Sequence, residues 1–168
     1  MSYVRSRIGR VLAVLWEDTT LEDIKQLRQE IPEARRIAGD KLIYLSISDV
    51  KTPPPGAAER KAMVQLAEDM MEYYEALYIV LRAEGFHGSV LRSVMATMML
   101  FSRHRQHVYV VDSIEEVLYR HSDRLGLDES SVRRQLAKDG ILLPRELASE
   151  VSGVRGSLRR CPKQPFSS

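Results

Sequence analysis

Residues 10–16, RVLAVLW, and 41–50, KLIYLSISDV, decide the fold. Each is a short apolar run rich in Val, Ile or Leu, too short for a helix that must bury its whole circumference. Both read as strands covered on two faces, as in a largely parallel sheet. Working backwards, residues 3–8 (YVRSRI) alternate bulky and charged side chains, and Gly9-Arg10 can turn them into a hairpin with the next strand. Working forwards, residues 76–81 (ALYIVL) and 106–111 (QHVYVV) repeat the apolar pattern. The spacing of the four runs leaves room for a helix in each gap.

The intervening segments read as those helices. Thr19-Thr20-Leu21-Glu22 predicts a capping box, with Thr19 accepting an early helix N–H and Glu22 reaching back. Leu21, Ile24, Leu27 and Ile31 then recur at helical spacing, Pro32 disturbs the end, and Gly39-Asp40 closes it. After the loop 51–56 (KTPPPG) a helix is predicted over 57–74, with Met63, Leu66, Met70 and Tyr73 or Tyr74 inward. Gly85-Phe86-His87-Gly88 reads as a turn, Ser89 as the cap of a helix to about Arg103, and Ser113-Ile-Glu-Glu116 as a second capping box. Asp128 can cap a short helix closed by Gly140. Strand-strand-helix-strand-helix-strand-helix-strand-helix predicts an α/β fold: a mixed, largely parallel sheet of four to five strands, helices packed against it, and a short C-terminal helical extension.

With 168 residues the chain suits one domain and a tail. No apolar run reaches the length of a membrane span, and the first 20 residues lack the core and cleavage site of a secretory signal. The single cysteine, Cys161, fits a reducing, cytoplasmic setting. Residues 1–121 carry 16 basic and 17 acidic side chains, whereas 122–168 carry 9 and 6. The body is neutral; only the end of the chain attracts a polyanion.

Chemistry-bearing patterns are sparse. His104 and His107, with Arg103 and Arg105, lie between a helix and a strand without an acid or cysteine close by, which predicts a solvated helix end rather than a metal site. Glu68, Asp69, Glu72 and Glu75 form an acidic helix face, and Met63, Met70, Met71, Met95, Met98 and Met99 lie at helical spacing, as core residues do. No nucleophile–base pair, paired-carboxylate site, Gly-rich phosphate loop or metal motif stands out. The expectation is therefore no enzyme, no cofactor and no metal.

The element order over residues 5–120 resembles the STAS fold in its anti-sigma-factor-antagonist-like branch, most clearly over IVLRAEGFHGSVLRSVMATMMLFSRHRQHVYVVDSIEEVL. This stretch has the strand, glycine-bearing turn, helix with an embedded arginine (Arg92), short strand and Ser/Asp-capped helix of such regulators. The resemblance implies a non-catalytic bacterial regulatory or scaffold module that works by protein–protein contact. Its expected partners are another regulatory protein or a second copy of itself. In the antagonists a kinase phosphorylates a serine just after the second central strand. Pro54-Pro55-Gly56-Ala57 stands at that place here, and the nearby hydroxyls of Thr52, Ser46 and Ser48 match no motif residue.

The expected docking residues are Thr52, Pro53, Pro54 and Pro55 of the loop, Glu68 and Glu72 of the acidic face, and Phe86, His87 and Arg92 around the later turn. All of them are predicted near one end of the sheet, where α/β folds place their sites. The organisation expected is a STAS-like domain over 1–123, a helical extension over 124–150 and a disordered basic tail over 151–168. Two rivals come from other classes. Residues 113–141 resemble a helix-turn-helix, in which Ser130, Ser131, Arg133 and Arg134 would face DNA. The other is a small-ligand or lipid-binding domain, with an apolar cavity beneath the Met-rich helices.

Overall fold

A computed structural model describes residues 2–49, 51–82, 88–90, 92–93, 107–111, 113–125 and 128–142, with side chains of 120–125 excepted. It is an α/β fold with a five-stranded mixed sheet. β1 (Tyr3–Ile8) runs antiparallel to β2 (Val11–Trp16); β3 (Leu42–Ser48), β4 (Tyr74–Leu81) and β5 (Val108–Val111) follow in parallel, in the spatial order β1-β2-β3-β4-β5. The hairpin turn rests on Gly9, whose φ of 55° lies where a side chain would be strained. Ile8 pairs with Val11 across it.

Helices cover both faces, which is why every residue of β2 and β3 is buried. On one face Leu12, Val14, Trp16, Leu42, Tyr44 and Leu77 pack against Ile24, Leu27 and Ile31 of α1 (Leu21–Ala38) and Leu66 and Met70 of α2 (Ala57–Met70). On the other, Val11, Ala13, Leu15, Ile43, Leu45, Ile47, Tyr78 and Val80 meet α3 (Ile114–Leu125) and α4 (Glu129–Lys138). Alternate residues of one strand thus belong to different cores, and a one-residue slip would exchange them. Residues 128–142 are part of this construction: Val132, Leu136, Ile141 and Leu142 are buried in the cluster that holds the sheet residues. Asp128 caps α4 by accepting from the Ser131 N–H, and Gly140 ends the segment at a φ of 76°.

Several local expectations are corrected. The cap of α1 is Thr20, not Thr19: its hydroxyl accepts from the Asp23 N–H at 3.1 Å and donates to the Asp23 carboxylate at 2.7 Å. Glu22 points to solvent, paired only loosely with Lys25 at 3.9 Å, and Leu21 is half-exposed at the first helical position. Asp23 wins the role because Ser2, just before β1, donates its N–H to the same carboxylate at 3.3 Å. α1 closes at Gly39 as expected, but Pro32 lies well inside the helix and does not disturb its end. The proline costs one backbone bond, but buried Ile31 and Ala34 hold the helix to the sheet on either side.

The helix predicted over 57–74 stops at Met70. A 3₁₀ turn (Met71–Tyr73) leads into β4, so Tyr74 is a buried strand residue stacked on Tyr44 at 5.1 Å. Leu42 opposes Tyr74 and Ile43 opposes Ala76, so Glu75 is the extra residue of a bulge. Its carboxylate meets the Arg10 guanidinium, which also donates to the Lys41 carbonyl at 2.8 Å. Residues 88–90 are already helical, so Ser89 lies inside that helix and does not cap it. Ser113 does cap α3, accepting from the Glu116 N–H. No helix among the described residues is long and apolar enough to cross a membrane.

Candidate functional site

The loop after β3 is held from within. Thr52 is buried; its hydroxyl donates to the Trp16 carbonyl at 2.6 Å and accepts from the Asp49 N–H at 2.9 Å, while its own N–H reaches the Asp49 carbonyl. These bonds tie the loop to the carboxyl ends of β2 and β3. At the far side the Arg60 guanidinium donates to the Pro55 carbonyl at 2.8 Å, and Pro55 is buried. Pro53, Pro54 and Gly56 are exposed. Of the four loop residues expected to touch a partner, Thr52 and Pro55 therefore anchor the loop, and Pro53 and Pro54 are its outer surface.

Beneath the loop, the Trp16 indole N–H donates to the Ser46 hydroxyl at 3.0 Å, and Ser46 and Ser48 are buried. The three hydroxyls nearest the loop are thus all enclosed, and a kinase has no access to them in the folded chain. Burial pushes the neighbouring Tyr44 phenol far above its ordinary range, so it stays neutral. Arg82, just past β4, is buried at the same edge, and its backbone N–H donates to the Ser48 carbonyl.

Glu68 and Glu72 lie elsewhere. α2 runs from the loop back along the sheet, and 14 residues span about 21 Å. Its last turn therefore reaches the amino edge of the parallel strands. There Lys41, Glu68, Asp69, Met71, Glu72, Tyr74, Glu75 and His107 line an open groove of about 540 Å³. Its acidity is partly offset: Asp69 is bridged by Arg28 at 2.7 Å and Glu75 by Arg10. The expectation that the loop and the acidic face share one end of the sheet is corrected by this geometry. Arg92 is helical and half-buried; Phe86, His87 and His104 lie outside the described residues, as do the predicted tail 151–168 and the Met-rich stretch 95–99.

The four residues of the DNA-facing alternative sit on α4. Ser130 and Arg134 are exposed, and Ser131 is turned onto Asp128. Arg133 is only 13% exposed, clamped by Glu129 at 2.8 Å and by Glu115 of α3 at 3.0 Å. Its partial burial alone would lower the guanidinium pKa, but the bonds and charges of Glu129 and Glu115 outweigh that and raise it. A residue so committed ties α3 to α4. Arg133→Ala is expected to lower stability by about 1 kcal/mol in urea unfolding, with duplex DNA retention unchanged from the wild type. Unchanged stability with loss of DNA retention would instead place this side chain against nucleic acid.

Sequence reasoning missed the pins: the Trp16 carbonyl, Asp49 and Arg60, together with Lys41 and His107 on the groove. One signal for the loop was present. Thr52 and Pro55 are three residues apart, the repeat of an extended polyproline segment, and this separates inward from outward positions. Comparison with known proteins finds no family model that matches the chain and no curated protein similar to it.

Proposed function

We propose that this chain is a non-catalytic regulatory module of the STAS-like, bacterial, cytoplasmic kind, which docks another regulatory protein on the loop at the carboxyl edge of its sheet. The observation that carries the reading is the pinning of residues 52–55 at both ends with Pro53 and Pro54 turned outward. A surface already fixed in place loses little conformational entropy on association. Enclosure of Thr52, Ser46 and Ser48 supports a module whose docking is not switched by phosphate at these hydroxyls. The helix-turn-helix alternative is disfavoured by the commitment of Arg133, and no described feature favours a lipid pocket.

The test is capture from the native cell lysate with the full chain, nuclease-treated and untreated. Pro53→Glu/Pro54→Glu is compared with Glu68→Lys/Glu72→Lys. The loop variant is expected to lose a nuclease-indifferent protein partner, with stability lowered by only about 1–2 kcal/mol through the freer unfolded chain. The groove variant is expected to keep that partner. Retention by the loop variant overturns the reading, and loss confined to the groove variant moves the docking surface to the amino edge. Thr52→Val removes the hydroxyl from a buried, fully used position. It is expected to cost about 2 kcal/mol and to weaken capture together with it.

A further inference from the structure

Resting on that reading, we infer that residues 52–55 form one turn of polyproline II helix laid along the protein, and that the docking partner reads it with a groove lined by aromatic side chains. Three consecutive prolines each fix φ near −65°. Thr52, Pro53 and Pro54 each precede a proline, which drives ψ to the extended region. Gly56 continues the path at φ −64° and ψ 174°. Such a helix has three residues per turn, so positions 52 and 55 share a side while 53 and 54 occupy the other two. The burial pattern follows this period: Thr52 and Pro55 in, Pro53 and Pro54 out. The hydrogen bonds at Thr52 and Pro55 are the two ends of the inward side, about 9 Å apart at 3.1 Å per residue.

The outward ridge limits what can recognise it. Neither Pro53 nor Pro54 has an N–H, so the segment cannot donate to a partner's strand, and pairing as an added strand is ruled out. It carries no charge for a basic or acidic motif reader. What it offers is two adjacent exposed prolines, each with a flat ring and a carbonyl acceptor. Those features suit flat aromatic rings that stack on proline, with an indole or phenol donating to a carbonyl. Pinning supplies the ordered backbone that a free proline-rich peptide reaches only part of the time.

The experiment titrates the full chain with three isolated proline-reading domains of WW, SH3 and EVH1 type, following their tryptophan fluorescence and the amide spectrum of the chain. At least one is expected to bind with roughly millimolar affinity, centred on residues 49–60. Pro53→Ala/Pro54→Ala is expected to weaken that binding at least about tenfold. Thr52→Val should weaken it several-fold, and Thr52→Ser, which keeps the hydroxyl, should restore it. Absence of binding by all three domains, or equal binding by the double alanine variant, overturns the inference. If the lysate partner is nevertheless lost in Pro53→Glu/Pro54→Glu, loop docking stands and only the aromatic groove falls. If that partner is retained while a domain binds the wild type, the ridge has the inferred chemistry but is not the docking surface.

Discussion

Leu136→Ala is expected to destabilise the entire chain by about 3–4 kcal/mol, in a single cooperative transition. Leu136 is fully buried on α4, in the same cluster as Val11, Ala13, Ile43 and Leu45 of the sheet. Removing its side chain leaves a cavity between the helix and the strands rather than a gap in a separate appendage. Urea unfolding followed by far-ultraviolet circular dichroism checks this. A main transition at the wild-type midpoint, with only a small early loss of helix signal, would show that α4 unfolds independently of the sheet.

The second large effect is at Asp23. This carboxylate is buried, accepts from the Thr20 hydroxyl and the Ser2 N–H, and has its own N–H bonded to Thr20. Asp23→Ala removes half of the helix cap and the anchor of β1 together, and is expected to cost about 2–3 kcal/mol. Burial by itself would raise the Asp23 pKa, but the hydrogen bonds from Thr20 and Ser2 outweigh it and hold the carboxyl below its ordinary value. The ionised form is therefore favoured by folding. Its contribution is fully present above the unfolded pKa of about 3.9 and disappears as pH falls through the lower folded value. Asp139, lowered by hydrogen bonds from Ser6 and Gln135, acts in the same direction. The stability gap between wild type and Asp23→Ala should be constant from pH 7 to 5 and narrow below about pH 4. A gap that persists unchanged at pH 3 would assign the cost to packing rather than to the charge.

The strands were readable because their apolar runs are local facts. Residues 11–16 are apolar on both faces and 42–48 nearly so, Ser46 and Ser48 excepted, and two-sided cover follows without knowing what provides it. The frame of the α1 cap was not local. Thr19 and Thr20 are equivalent by sequence, as are Glu22 and Asp23 three residues on. Ser2 decides between them, brought there by the β1–β2 pairing. Tyr74 fits a helical stripe equally well, and it becomes a strand residue because Leu42 pairs with it. At the candidate site the proline loop was visible as residues, but not which of them face inward. Glu68 and Glu72 read as part of the loop's end of the sheet, but the length of α2 carries Glu68, and the 3₁₀ turn after it Glu72, to the other end. The groove they line brings together Lys41, just before β3, and His107, just before β5, a juxtaposition set by the pairing of β3, β4 and β5.

Ser6 of β1 donates its hydroxyl to Asp139, so this strand is completed by the end of α4, 133 residues later in the chain. Among the described residues every strand pairs with its neighbour in sequence, and the sheet can grow strand by strand as the chain leaves the ribosome. The side of the opening hairpin that carries Val4 and Ile8, however, waits for α4. At 5–20 residues per second, roughly 7–27 s separate the synthesis of Ile8 from that of Leu142. During that interval the hairpin exposes an apolar face and an unpaired edge, and Arg5 and Arg7 on that edge strand oppose its pairing with another nascent chain.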